Sequence, residues 1–86
     1  MAHHSSAKKA IRHTVKRTLI NKSRDTRIKT YIKKVLEAIS AGSKETASIA
    51  FVKAQSEIMR GVTKGVLKMG TASRTVSRLN KRLKSL

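Results

Sequence analysis

The chain has 86 residues, of which 21 are Lys or Arg and 4 are Asp or Glu, so its formal charge is +17, and it contains neither cysteine nor proline. One domain with a modest core is all that this length allows, and so large an excess of one sign opposes compaction unless a polyanion neutralises it. Disulfide staples, thiolate metal sites and cysteine nucleophiles are excluded, and neither a membrane-spanning apolar run nor the apolar stretch of a secretory signal is present; a cytoplasmic protein is expected.

With no proline and only Gly42, Gly61, Gly65 and Gly70 to interrupt helical periodicity, the pattern predicts three helices. The first is expected over about 6–41, with Ser5 or Ser6 as its cap and Gly42 as the left-handed residue after its end. In its second half Ile28, Ile32, Val35, Leu36 and Ile39 share one face, the mark of a core-facing helix. In its first half only the thin stripe of Ile11, Val15 and Leu19 is apolar, and that half has little reason to pack against protein.

A second helix is expected over about 44–64, capped by Ser43, with Glu45 favoured near its positive end and an apolar face of Ala47, Ala50, Phe51, Ala54, Ile58 and Val62. It should fray or end around Gly61 to Gly65. A third is expected over about 71–85, capped by Thr71, with a seam of Ala72, Val76, Leu79, Leu83 and Leu86. Three apolar stripes are satisfied together by an all-α, antiparallel three-helix bundle with a long, protruding basic first helix.

Charge divides unevenly over this plan. Residues 1–34 carry 11 basic and 1 acidic side chains, residues 35–67 carry 4 and 3, and residues 68–86 carry 6 and 0. A removable, leader-like N-terminal segment does not explain a bias that returns at the other end. In the bundle the two basic ends of the sequence can share one surface, with the near-neutral second helix facing elsewhere.

Dense cations without acids to pair with are the main functional signal: Lys8, Lys9, Arg12, Lys16, Arg17, Lys22, Arg24 and Arg27 crowd the first half of helix one. Such side chains displace the counterions condensed on nucleic acid, and their release drives binding. The bland alternative is a solvated charged tail. Arg74, Arg78 and Lys81 recur at three- and four-residue spacing away from the third helix's seam, a row suited to phosphates rather than bases, or an ordinary exposed face. With Tyr31 and Phe51 as its only aromatics the chain lacks a stacking platform for single strands; Phe51 is assigned to the core, and Tyr31 to core or rim.

Other chemistry is poorly supported. The glycine spacing of 65–70 lacks the Lys and the preceding strand of a phosphate loop, and Asp25, Glu37, Glu45 and Glu57 are scattered, so no catalytic group, cofactor or small-molecule substrate is expected. With Met1 removed, the free amine, two amides and His4 have the donor set of a square-planar copper or nickel site, but the plain reading of His3, His4 and His13 is incidental histidines, and no metal is expected. Composition alone also permits a DNA-compacting protein, and basic amphipathic helices lie on anionic lipid too, although the absent Trp and the thin apolar stripe argue against a membrane surface.

An ordered set of residues then narrows the field: Ser6-Ala7-Lys8-Lys9, Asn21, the run from Lys29 to Val35, Ala38-Ile39 before Gly42, Ala50-Phe51, Ala54, Ile58, Arg60, Lys64-Gly65, Ala72-Ser73-Arg74 and Ser77-Arg78-Leu79. Over nearly the whole chain this resembles bacterial small-subunit ribosomal protein twenty. The resemblance implies a non-catalytic ribosomal scaffold, bound to small-subunit ribosomal RNA at its 5′ domain and at the long stem near its 3′ end. By the same resemblance Lys8, Lys9, Arg12, Lys16, Arg17, Asn21, Arg24, Lys33 and Lys34 would meet RNA from helix one, and Arg74 and Arg78 from helix three; Lys22, Arg27, Lys64, Lys68 and Lys81 complete the candidate set. Three places depart from the family's pattern: Asp25 and Val76 stand where basic residues are common, and Lys68-Met69-Gly70 replaces His-Lys-Asn. A pair between Asp25 and Lys29, one turn on, is the expected local compensation.

Overall fold

In the computed structural model the backbone is described for residues 2–86 and side chains for residues 7–86. Three α-helices follow one another: α1 over Ala2–Ser40, α2 over Lys44–Thr63 and α3 over Met69–Lys84. At about 1.5 Å per residue the 39 residues of α1 account for most of the molecule's 64 Å length, against 21 and 14 Å across.

Both connections are built from local hydrogen bonding. Gly42 has φ +75°, a conformation that costs a residue with a Cβ about 1–2 kcal/mol. It lets the Gly42 N–H donate to the Ile39 carbonyl at 3.0 Å and the Ser43 N–H donate to the Ala38 carbonyl at 3.3 Å. Ser43, extended at φ −91°, then accepts the Thr46 N–H on its hydroxyl at 3.4 Å and so starts α2. At the second connection Gly65 N–H donates to the Val62 carbonyl and Val66 N–H to that of Gly61.

Several expected boundaries move. Helix α1 begins at Ala2, so Ser5 and Ser6 lie inside it rather than capping it; their side chains, with those of His3 and His4, lie outside the described residues. Helix α3 begins at Met69, ahead of Thr71, with Lys68 as a cap residue that supplies no side-chain hydrogen bond. Gly70 therefore sits in the first turn of α3, where its amide has no intrahelical partner to lose. Leu86 follows the end of α3 and is 40% exposed, outside the seam it was assigned to.

The core occupies only the C-terminal part of α1. Ile28 and Val35 of α1, Ala54 and Ile58 of α2, and Ala72 and Leu79 of α3 form one buried cluster, on which Ile32, Leu36, Phe51 and Val76 pack. Ala38, Ala47 and Leu83 form a second cluster at the end nearer the α1–α2 turn. α3 thus runs in the same direction as α1, antiparallel to α2, and packs more extensively on α2 than on α1. Phe51 is half-buried against both clusters rather than fully enclosed.

Helix α2 ends at Thr63, within the expected stretch of Gly61 to Gly65, and the absence of a side chain at Gly61 is used for packing. A Cβ on Gly61 would stand 2.6 Å from Ile28 Cδ1 and 3.3 Å from Leu67 Cδ1, so α1 and the second connection close directly on the α2 backbone. Gly61→Val should therefore destabilise the bundle by about 1–3 kcal/mol through overpacking, despite the better helix propensity of a residue with a Cβ. Thermal unfolding followed by circular dichroism checks this: an unchanged midpoint would mean that Ile28 can move aside at no cost.

Candidate nucleic-acid interface

Every residue from Ala7 to Ile20 is exposed, including the apolar Ile11, Val15 and Leu19 at 63%, 54% and 64%. The first half of α1 is a bare arm that projects past the bundle, as its thin apolar stripe led us to expect. Thr14 and Thr18 donate their hydroxyls to the carbonyls of Ala10 and Thr14 at 2.9 Å, so their polar atoms are satisfied within the helix.

At 3.6 residues per turn the core residues Ile28, Ile32, Val35 and Ile39 define one side of α1. Lys8, Lys9, Arg12, Lys16, Lys22, Lys33 and Lys34 fall on the opposite side, all of them exposed, and make one basic face along the helix. Arg17 and the half-buried Asn21 and Arg24 lie around the other side. The single acid of this region, Asp25, accepts Lys29 Nζ at 3.0 Å, the expected pair one turn apart, which contributes a few tenths of a kcal/mol.

Tyr31 belongs to the rim. Its ring packs against the core while Arg27 Cζ stands 5.4 Å and Lys34 Nζ 5.2 Å from its centroid, both within cation–π range. Across the bundle, Leu36 of α1 and Thr75, Arg78, Leu79, Lys81 and Arg82 of α3 wall a shallow groove. The basic third helix therefore borders α1, as the charge distribution suggested. Arg74 and Lys68 are exposed on α3 and at its start.

The arrangement that the sequence did not reveal lies where the arm leaves the bundle. Glu57 of α2, 9% exposed, is the one charged residue in the buried class among the described residues. Its Oε2 accepts Arg27 Nε at 3.0 Å and its Oε1 accepts Arg27 Nη2 at 3.2 Å, a two-point fork across α1 and α2. Arg60 Nη1 reaches the same Oε1 at 3.3 Å. The Glu57 carboxylate pushes the Arg27 guanidinium's pKa up, first through this hydrogen bonding and then through its charge. Arg24, Arg27, Arg60 and Lys64 surround a cleft of about 360 Å³ floored by Ile28 and Gly61. The second helix is thus not electrostatically silent: Arg60 and Lys64 bring it into the basic surface. Glu57 was legible in principle, since it falls three residues after Ala54 and four before Gly61, on the buried face of α2.

A bare basic helical arm on a small three-helix bundle, with further cations on all three helices, defines a small helical polyanion-binding protein. A family model described as Ribosomal protein S20 matches residues 2–84. Small ribosomal subunit protein bS20 of Rickettsia akari (strain Hartford) is 63% identical over all 86 residues, 100% of this chain and 96% of that relative. The protein of the same name from Rickettsia bellii (strain OSU 85-389) is 57% identical over 100% of this chain and 99% of its own length. The chain belongs to the ribosomal protein S20 family.

An arm without tertiary contacts should exchange its amide hydrogens faster than the bundle. In hydrogen exchange of the free protein, residues 7–20 should be the least protected and residues 28–39 among the most. Equal protection of the two halves would show that something else holds the arm.

Proposed function

We propose that this chain is a non-catalytic structural component of the bacterial small ribosomal subunit, acting in the cytoplasm, that binds small-subunit ribosomal RNA directly and supports its folding. Family membership supports the ribosomal setting, and the observation that carries direct RNA binding is the fully exposed arm with its one-sided basic face. Lys8, Lys9, Arg12, Lys16, Arg17, Asn21 and Lys22 on the arm, Lys33 and Lys34 beyond it, and Arg74, Arg78 and Lys81 on α3 are the proposed contacts. Arg24, Arg27, Lys64 and Lys68 complete the set around the second connection. The 5′ domain and the long stem near the 3′ end of that RNA are the proposed partners.

Phosphate and sugar contacts of this kind fix orientation and carry little sequence information, so selectivity comes from the shape of folded RNA that a rigid helix and a bundle can span together. Bacterial ribosomes assemble in the cytoplasm, and no described helix is long and apolar enough to cross a membrane.

Binding to isolated small-subunit ribosomal RNA should fall at least roughly a thousandfold between 50 and 200 mM salt, as about six or more phosphate contacts require, and should resist competition by unrelated folded RNA and duplex DNA. Reversing Arg12, Lys16 and Arg17 together to Glu should cost about two orders of magnitude in affinity and flatten the salt dependence by about three units of slope. Unchanged affinity in the triple variant would remove the arm from the interface, and equal displacement by duplex DNA would leave a generic polycation.

A further inference from the structure

The cleft at the base of the arm has more positive charge than the helix–helix contact beside it can use. Four cations, Arg24, Arg27, Arg60 and Lys64, line it, and Glu57 is the one carboxylate among the lining residues. The ion pairs with Glu57 take two of Arg27's five N–H donors and one of Arg60's. The remaining donors belong to side chains that are 57% and 72% exposed, while the carboxylate holding them is 11% exposed. A buried anion that fixes two open guanidinium forks side by side is a pre-organised receptor for a second, external anion.

We propose that this cleft seats a single phosphodiester group of RNA, gripped by Arg24, Arg27, Arg60 and Lys64, with Glu57 as a positioning residue that aims the two forks. The assignment rests on the RNA-binding reading above and adds to it a particular seat, a residue outside the set of expected contacts, Arg60, and a role for an acid in binding a polyanion. A phosphodiester fits better than an acidic peptide, because the cleft lies at the base of the arm on the side of α1 that carries Arg17, Asn21 and Arg24, so a backbone following those residues down the arm arrives there. The seat also stands where Ile28 of α1 packs on the bare α2 backbone at Gly61, so a phosphate held there would lock the direction in which the arm leaves the bundle.

The test turns on a sign. If Glu57 acts only as a negative charge near the RNA, Glu57→Gln should tighten binding; if it positions Arg27 and Arg60, the same substitution should weaken binding although the protein becomes more positive. We expect Glu57→Gln to lose about fivefold to tenfold in affinity for small-subunit ribosomal RNA at fixed salt. Lys64→Ala, at an exposed position outside the ion pairs, should keep the wild-type melting temperature, lose about tenfold in affinity, and lower the salt slope by about one. In ethylation interference, one phosphate critical for the wild-type protein should become indifferent with Lys64→Ala. Wild-type affinity in Lys64→Ala, or tighter binding by Glu57→Gln, overturns the proposal; if Glu57→Gln does not fold, Lys64→Ala decides alone. Inorganic phosphate that stabilises the wild type but not Lys64→Ala, with RNA binding equal in both, would mark a free-anion site and overturn the RNA assignment. Wild-type protein that fails to prefer small-subunit RNA over unrelated RNA would instead sink the ribosomal reading on which this one stands.

Discussion

The contact of Ile28 with the bare backbone of Gly61 is the point from which the rest of the architecture is set. Below it, α1 is a core helix, and Val35 and Ala38 continue the buried row to the first turn. Above it, α1 has no protein neighbour from Ala7 to Ile20. Because a side chain at Gly61 would collide with Ile28, the distance between α1 and α2 is fixed there by backbone. The fork from Glu57 to Arg27, one residue before Ile28, then fixes rotation about the same joint. Apolar packing and a two-point ion pair thus act on adjacent residues, and the arm's direction follows from both.

Electrostatics explains why so small a core suffices for the job and not for much more. Among the described residues nine buried apolar ones, four of them alanines, face a formal charge of +17 on the whole chain. Self-repulsion of that size works against any compact state, and placing the cations on a projecting arm and on outward helix faces lengthens the distances between them. The one buried charged residue among those described, Glu57, is an acid with two cations on it, so even the interior reduces the excess rather than adding to it. Among the described residues no buried side-chain polar atom is left without a partner.

Local chemistry was readable in the sequence, and tertiary chemistry was not. Gly42 and Ser43 declared the first turn because a left-handed residue and an N-cap hydroxyl act within four positions of themselves. The three apolar stripes declared the bundle because their periods are properties of single helices. The start of α3 was misread because Lys68 caps without its side chain and Gly70 looks like a breaker, although the first turn of a helix tolerates it. Gly61 marked the region where α2 ends, but its packing role was not legible, because that role lies in Ile28, thirty-three positions away, and no local pattern reports it. The basic face of the arm was legible residue by residue, whereas the cleft required Arg24 and Arg27 to be brought to Arg60 and Lys64 by folding.

The exposed arm also contains its own argument for a polyanion. Lys8, Arg12 and Lys16 follow one another at intervals of four residues, and Lys9, Arg12 and Lys16 at three and four, spacings at which like charges meet on a helix and each pair costs about 0.2–0.5 kcal/mol. Its apolar residues give no relief, since Ile11, Val15 and Leu19 lie from about a quarter to nearly half a turn away from the line of the core face, so helices extended along that face would not cover them as one stripe. A helix with repulsive pairs along it and no tertiary packing is weakly held on its own. Phosphates spaced along an RNA backbone convert the same rows of cations from mutual repulsion into contacts, so the feature that weakens the free arm is the one that makes it bind.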